Sequence, residues 1–289
     1  MAGDLNVTWI HGSPECVGST GHPPIQVHRF DGDTYILRQG KCSDPPRSFE
    51  APFMYLLIGT TGALLLDAGA SSSPAIFPLA KTVGDLLGSH ATAAGGRAVP
   101  LIVAHSHGHL DHLAGNAQFH GRPDTTIVAE GVAGVKAFFA LSRWPEGSAA
   151  FDLGDRVLDI LAIPGHEEDH IAVFDRRTGL LLTGDTVYPG LLVVYDWPEY
   201  RRSIARLRAF SNTHTVAFLL GAHIEMTNQP GRWFGLDTAY QPDEHVLQLE
   251  PRHLIELDNA LQTIGGQPLT DRHADFIIHP RGLPLPPHP

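Results

Sequence analysis

Four side chains that commonly bind metal ions lie within six consecutive positions of this 289-residue chain. They are His107, His109, Asp111 and His112, in the segment AHSHGHLDHLAGN. In an extended segment, residues two apart point the same way, so His107 and His109 can bind one metal together. Asp111 and His112 lie where the chain turns into a helix and can face a second metal. Imidazole and carboxylate ligands suit zinc or another borderline divalent ion. A solvated polar loop is the weaker interpretation, because it needs four ligand-type residues by chance directly after a buried strand.

Further ligand-type residues follow short apolar runs that read as strands. Asp67 ends LLLD before Ala68-Gly69, His166 ends IPGH, Asp185 lies in GDT, and His223 ends GAH. Each of these motifs is weak alone. Their strength as a set lies in their order along the chain, which resembles the motif order of one known family.

This ordered set, over about residues 53–226, resembles the HxHxDH signature and the later motifs of the metallo-β-lactamase superfamily. The resemblance implies an α/β fold, an αββα sandwich of two packed mixed β-sheets with helices on the outer faces. It also implies that two divalent metal ions are bound, most simply zinc, with manganese, iron or cobalt as alternatives. Asp67 would support the metals from beneath without ligating them. The implied ligands are His107, His109 and His166 for metal one, Asp111, His112 and His223 for metal two, and Asp185 as the bridge.

The complete ligand set is similar to that of glyoxalase II-type thioesterases, lactonases and some phosphodiesterases of this fold, whereas true β-lactamases usually lack the bridging aspartate. We therefore predict a metallo-hydrolase in which a metal-bridging hydroxide attacks the carbonyl of a small ester, lactone or thioester. Asp111 would orient that nucleophile. Tyr188, three residues after Asp185, resembles a tyrosine that polarises the carbonyl in homoserine lactonases of the fold. A tyrosine that only packs beside the site is the equal alternative.

Three other functions stay open. The first is a persulfide dioxygenase-like oxidoreductase with one iron, bound by two histidines and an aspartate; the seven-ligand set disfavours it. The second is a phosphodiester hydrolase, disfavoured by the formal net charge of -11. The third is a metal-binding protein without catalysis.

The elements that must position these residues follow from hydrophobic patterns and turn signals. We predict an amphipathic helix over residues 75–88, a helix around 132–141, a helix over 198–210 and a C-terminal helix ended by Gly265-Gly266. Strands come in runs with helices between them, which suits two packed sheets rather than a doubly wound parallel sheet. The predicted strand segments are 25–30, 34–39, 53–59, 63–69, 100–107, 125–130, 156–166, 170–186 as a hairpin, and 216–223.

No linker divides the chain, so we predict one domain over residues 1–289, with a core of about 25–280 and a proline-rich tail over 280–289. The composition is that of an ordinary globular protein, with 43% hydrophobic and 18% charged residues. The net negative charge makes nucleic acid an unfavourable partner. We expect a small-molecule substrate, no membrane partner and, since no signal peptide is visible, a cytoplasmic location. A homo-oligomer is left open.

The remaining candidates are histidines, cysteines and aromatic residues without a metal-ligand pattern. We expect His105 to be a core or supporting histidine and His170 to be a supporting one, and neither to be a ligand. For Cys16 and Cys42 we favour reduced thiols over one disulfide near the N-terminus. Residues 132–144, with Phe138, Phe139 and Trp144, could cover the site, although core packing is the safer expectation for the two phenylalanines. The site could also be covered by four other aromatic residues, Tyr195, Trp197, Trp233 and Phe234. Surface positions are expected for His11, His22, His28, His214 and His253.

Overall fold

The computed structural model of the chain describes residues 3–16, 22–44, 50–93 and 95–287. Within it the chain forms two compact units. Unit 1 comprises Met1–Ala129, Asp152–Val157 and Asp237–Pro242, and unit 2 comprises Glu130–Phe151, Leu158–Leu236 and Asp243–Pro289. The single domain predicted over residues 1–289 stays a prediction.

Unit 1 contains a six-stranded mixed sheet with its strands in sequence order. The first four strands pair antiparallel, and the last two add in parallel. Every residue of the third and fourth strands, FMYLLI and ALLL, is buried, as expected of strands that are covered on both faces. The strands are β1 (Ile25–Arg29), β2 (Thr34–Gln39), β3 (Phe53–Ile58), β4 (Ala63–Leu66), β5 (Leu101–Ala104) and β6 (Thr125–Ile127).

The long helix of unit 1, α1 (Leu79–Ala93), begins four residues later than residue 75, where the sequence pattern placed its start. Pro78 explains the difference, because its carbonyl accepts the first helical hydrogen bond, from Thr82 N at 3.0 Å. Proline has no N–H to donate and fits only the first turn of a helix. The helix buries Leu79 and Val83 in the apolar core of this sheet. A second, one-turn helix, α2 (Leu110–Leu113), follows β5.

Unit 2 contains a second mixed six-stranded sheet, in the order β13-β12-β10-β9-β8-β7, and a three-stranded sheet in the order β11-β15-β14. In the larger sheet, β8 and β10 both pair antiparallel with β9, and β10 pairs parallel with β12. Strands β8, β10 and β12 therefore run in the same direction. The strands are β7 (Ser148–Asp152), β8 (Val157–Ala162), β9 (Ile171–Asp175), β10 (Leu180–Gly184), β11 (Leu191–Val194), β12 (Phe218–Gly221), β13 (Gln248–Leu249), β14 (Asp271–Arg272) and β15 (Ile277–Pro280).

The described residues of unit 2 form the helices α3 (Gly131–Phe139), α4 (Trp197–Ser211) and α5 (Pro251–Ile264). Helix α4 is capped by Asp196, whose carboxylate accepts from Glu199 N at 2.9 Å. The apolar faces of α4 and α5, with Ile204 and Leu257 among their members, are buried in one core with strands of the larger sheet. The surface position expected for His253 is wrong: the ring is buried in the first turn of α5, where its Nδ1 accepts from Glu250 N at 2.9 Å.

The two cysteines correct another expectation. Cys16 and Cys42 form a disulfide, with their Cα atoms 4.9 Å apart, so the favoured expectation of reduced thiols is wrong. The two residues are 26 positions apart in sequence, and spacing of this kind does not reveal whether the fold brings two thiols together. Every helix among the described residues is too short or too polar to span a lipid bilayer.

Candidate metal centre

Asp67 organises the ligand-bearing loop of unit 1. It follows β4 with φ +70°, a left-handed conformation that aspartate tolerates better than most residues. Its buried carboxylate accepts from Ser106 N at 2.7 Å and from Ser106 Oγ at 3.0 Å, and it lies 3.1 Å from His112 Nδ1. With a proton on Nδ1 shared with Asp67, His112 keeps Nε2 for a metal.

The same hydrogen-bond chain orients His107. Ser106 Oγ lies 3.0 Å from His107 Nδ1 and donates onward to Asp67. A hydroxyl that donates to the carboxylate can still accept from an imidazole N–H, which leaves His107 Nε2 for a metal. That Nε2 lies 3.0 Å from His109 Nδ1, and His112 Nε2 lies 3.0 Å from Asp111 Oδ2. Two ligands of one tetrahedral zinc are about 3.3 Å apart when each metal–ligand bond is about 2.0–2.1 Å. Both spacings are therefore close to those of metal ligands.

In unit 2, three candidate ligands emerge from one edge of the larger sheet. His166, Asp185 and His223 follow the carboxyl ends of β8, β10 and β12, which run in the same direction. Gly165 makes the turn that ends in His166: its φ is +139°, and a Cβ there would lie 2.4 Å from the Cα of Tyr200. Only glycine suits that position.

Asp185 faces two histidines with different oxygens. Its Oδ2 lies 3.7 Å from His166 Nε2, and its Oδ1 lies 3.4 Å from His223 Nε2. His166 Nδ1 donates to the carbonyl of Val193 at 2.8 Å, so Nε2 is the ring nitrogen whose lone pair can bind a metal. A carboxylate that presents one oxygen to each of two imidazoles has the arrangement that a bridging ligand needs.

The ligand atoms of these side chains form two groups, and within each group all lie within 4.8 Å of one another. The first group is His107, His109, His166 and Asp185, and the second is Asp111, His112, Asp185 and His223. Three imidazoles with one carboxylate, and two imidazoles with two carboxylates, are donor sets that suit zinc and its neighbours. The chain therefore has histidine and aspartate clusters suited to metal binding. The assignment of each ligand to a particular metal stays a prediction.

The hydroxyl of Tyr188 is hydrogen-bonded to groups of the protein. This buried hydroxyl donates to the carbonyl of Leu191 at 2.7 Å and lies 3.0 Å from Glu225 Oε2, while the Tyr188 ring packs edge-on against His223 at 5.7 Å between centroids. These contacts support a packing role beside the ligand and give no support to a bond with a substrate carbonyl. Glu225 was missed by sequence reasoning. A lone acid two residues after His223, in the apolar run GAHIEM, was the available signal.

The other expected supporting residues are buried and belong to neither ligand group. His105 Nε2 lies 2.8 Å from Asn116 Oδ1, and His170 Nδ1 lies 3.3 Å from the Thr186 hydroxyl. Among the aromatic candidates for a cover, Trp197 and Trp233 are core residues, Phe138 and Phe139 cluster with Phe151, and Tyr195 is 41% exposed.

The sequence profile of the metallo-β-lactamase superfamily matches residues 48–221, a range that holds six of the seven candidate ligands. The chain belongs to the metallo-β-lactamase superfamily. The predicted fold class is confirmed by this membership and by solved structures of the superfamily. The DIM-1 metallo-β-lactamase superposes with a TM-score of 0.52 at 12% identity, covering 84% of this chain and 99% of that one. TMB-1 gives 0.52 at 14% identity, covering 83% and 100%.

Curated relatives match shorter stretches of this superfamily member. An acyl-coenzyme A thioesterase, MBLAC2 of Gallus gallus, is 30% identical over 106 residues, which is 35% of each chain. A hydroxyacylglutathione hydrolase of Thermosynechococcus vestitus is 32% identical over 95 residues, or 30% of this chain and 35% of the relative. The matched part thus spans about a third of the length of these relatives.

Proposed function

We propose that the chain is a hydrolase that uses two divalent metal ions to cleave an acyl thioester or a related carboxylic ester. The observation that carries the proposal is Asp185, whose two oxygens face His166 and His223 separately. A mononuclear site needs no such bridge. The proposed ligands are His107, His109 and His166 for one ion, Asp111, His112 and His223 for the other, and Asp185 for both.

Two divalent ions held by these residues would supply a hydroxide nucleophile near neutral pH and would polarise the carbonyl oxygen of the substrate. The protein's own part is to fix the geometry in advance. Asp67 and Ser106 hold His107 and His112 with Nε2 available, and the Val193 carbonyl does the same for His166. Because these ligands are fixed by hydrogen bonds to buried groups, little reorganisation is needed during the reaction.

Asp111 has a further proposed role. It is partly exposed, unlike its neighbour His112, so one carboxylate oxygen can ligate while the other faces solvent or substrate. A carboxylate in that position orients the nucleophile by accepting its proton and can pass that proton to the leaving group.

Two observations favour thioesters over lactones. The hydroxyl of Tyr188 is bonded to Leu191 and Glu225, which weakens the main argument for lactones. In addition, the similar proteins include an acyl-coenzyme A thioesterase and a hydroxyacylglutathione hydrolase. Net charge of -11 also disfavours a polyanionic nucleic acid substrate.

The test is a hydrolysis panel with the zinc-loaded chain, combined with metal analysis and an oxygen-consumption assay of the chain as purified. Thioesters, aryl esters, lactones and phosphodiesters are assayed at matched concentrations, and metal is counted per chain. We expect about two metal ions per chain and the highest kcat/KM on thioesters. One iron per chain with oxygen consumption on a persulfide would replace the proposal with the dioxygenase, and cleavage confined to phosphodiesters would replace it with a phosphodiesterase.

A further inference from the structure

Arg281 lies over the ring of Tyr195 at the end of the small sheet of unit 2. The guanidinium carbon is 4.4 Å from the ring centroid, and both side chains are exposed to solvent. Within the described residues, no carboxylate lies at ion-pair distance from Arg281. An arginine that is held in place, yet has no acidic partner, is notable in a chain with a net charge of -11, because acidic side chains are plentiful.

The Arg281–Tyr195 pair is next to a candidate metal ligand. The Tyr195 ring also packs edge-on against His166, at 5.4 Å between ring centroids. One aromatic ring therefore separates the cation from an imidazole of the metal centre.

Backbone hydrogen bonds fix this spacing. Tyr195 N donates to the carbonyl of Gly165 at 2.9 Å, and Arg281 N donates to the carbonyl of Val194 at 2.8 Å. The neighbouring carbonyl, of Val193, accepts from His166 Nδ1 at 2.8 Å. All three side chains are thus tied to the last residues of β11, and they cannot shift independently.

We propose that Arg281, supported by Tyr195, binds an anionic group of the substrate, a carboxylate or a phosphate, located a few bonds from the reactive carbonyl. Arginine presents a rigid fork of N–H donors that matches both groups bidentately. The negative field of the protein as a whole repels an acidic substrate, and a cation beside the reaction centre offsets that repulsion locally. The proposal rests on the proposed hydrolase function and narrows its substrates to acyl compounds that carry an anionic group.

The activity test uses two aryl esters that differ only at the far end of the acyl chain. Phenyl hydrogen glutarate ends in a carboxylate, and phenyl pentanoate ends in a methyl group. For the zinc-loaded full chain, we expect Arg281→Gln to raise KM for the glutarate ester about 10-fold or more, the loss expected for one charged hydrogen-bond pair. kcat and the pentanoate kinetics should stay unchanged, and Arg281→Lys should restore part of the difference. The control is Arg252→Gln, since Arg252 is an exposed arginine paired with Glu250 and should leave both esters unaffected.

Equal effects of Arg281→Gln on both esters, or no effect on either, would overturn the proposal. A second measurement separates this outcome from failure of the hydrolase itself. Glutarate and inorganic phosphate are titrated calorimetrically into the metal-stripped chain, where no metal can bind them. Weaker binding in Arg281→Gln supports the anion site even if neither ester is hydrolysed, in which case only the hydrolase proposal fails. Unchanged binding of both anions refutes the site. The anion that binds the wild-type chain more tightly identifies the group as carboxylate or phosphate.

Discussion

The hydroxyl of Tyr188 lies 3.0 Å from the carboxylate of Glu225, which also accepts from Leu191 N at 2.7 Å. These contacts join the segment after Asp185 to the segment after His223. Tyr188 and Glu225 therefore brace two neighbouring candidate ligands through local packing.

The first prediction follows from this contact. Tyr188→Phe should lower the free energy of unfolding by about 1 kcal/mol, the usual net value of one hydrogen bond, and change kcat by less than about threefold. Urea unfolding and steady-state kinetics measure the two effects. The control is Tyr200→Phe, which removes another buried hydroxyl that donates to a backbone carbonyl, that of Thr186 at 2.7 Å. A fall in kcat of about 100-fold with unchanged metal content would instead mean that Tyr188 donates to the substrate.

The second prediction concerns the proposed bridge. Asp185→Asn keeps the shape of the side chain but removes the charge that two cations share. We expect turnover to fall by at least about 100-fold, with loss of about one metal per chain on dialysis and an unchanged far-ultraviolet circular dichroism spectrum. Full activity with both metals retained would show that Asp185 is not the bridge.

The third prediction tests the support beneath the metals. Asp67→Asn keeps a residue that tolerates the left-handed backbone but loses the carboxylate near His112 Nδ1. Loss of such a supporting partner typically costs about 10–100-fold in metal affinity, which competition with a chelating dye can measure. Asp124→Asn is the matched control, because Asp124 is exposed and also has a positive φ, +53°. Equal metal affinities in the two variants would contradict the support role.

The fourth prediction concerns acid stability. Partial burial alone would raise the pKa of Asp275, but hydrogen bonds from His253 and His245 and the charge of His245 outweigh burial and hold that pKa below its ordinary value. A lowered pKa in the folded state stabilises the fold above the unfolded-state pKa of about 4, and this contribution disappears as the pH falls through the lower, folded-state value.

Asp275→Asn should therefore be less stable than the wild type at pH 7, and the difference should shrink steadily below about pH 4. Urea unfolding midpoints of the variant and the wild type across this pH range measure the difference in stability. Asp243→Asn, at an exposed aspartate, serves as control and should show no such pH-dependent difference. A difference that grows in acid would have the wrong sign for this account.

The fifth prediction uses the disulfide between Cys16 and Cys42, which closes a loop with a sequence separation of 26. Chain-entropy arguments give such a crosslink about 3 kcal/mol of stabilisation. Dithiothreitol should lower the urea midpoint of the wild type and leave the Cys16→Ser/Cys42→Ser double variant unchanged. If the urea midpoint of the wild type stays unchanged after reduction, and thiol titration verifies that the disulfide is reduced, the proposed stabilisation by the disulfide is contradicted.

Sequence patterns were sufficient for the parts of this molecule that depend on local chemistry. The ligand motifs follow buried strands whose apolar runs are plain in sequence, and α4 was predicted to within a residue at each end. The missed parts depend on distant segments. Strands β11 and β15 pair across more than eighty residues. Neither LLVV nor IIHP contains a turn signal or a hydrophobic period from which its pairing partner could be predicted. The support of His166 by Val193 and the proximity of Arg281 to Tyr195 depend on that pairing. In the same way, the disulfide depends on a fold that brings together Cys16 and Cys42, which are 26 positions apart in sequence.

The pairing of β11 with β15 also sets an order of events during synthesis. In the three-stranded sheet, β11 lies at an edge and its neighbour is β15, which leaves the ribosome more than eighty residues later. At about 5–20 residues per second, that interval is roughly 4–17 s. His223 is synthesised within this interval, and from then on the nascent chain has all seven candidate metal ligands but lacks the strand that anchors the Val193 carbonyl near His166. A metal ion that the histidine-rich loop binds during this interval would therefore bind a chain that still lacks β15, the strand that completes the scaffold around His166.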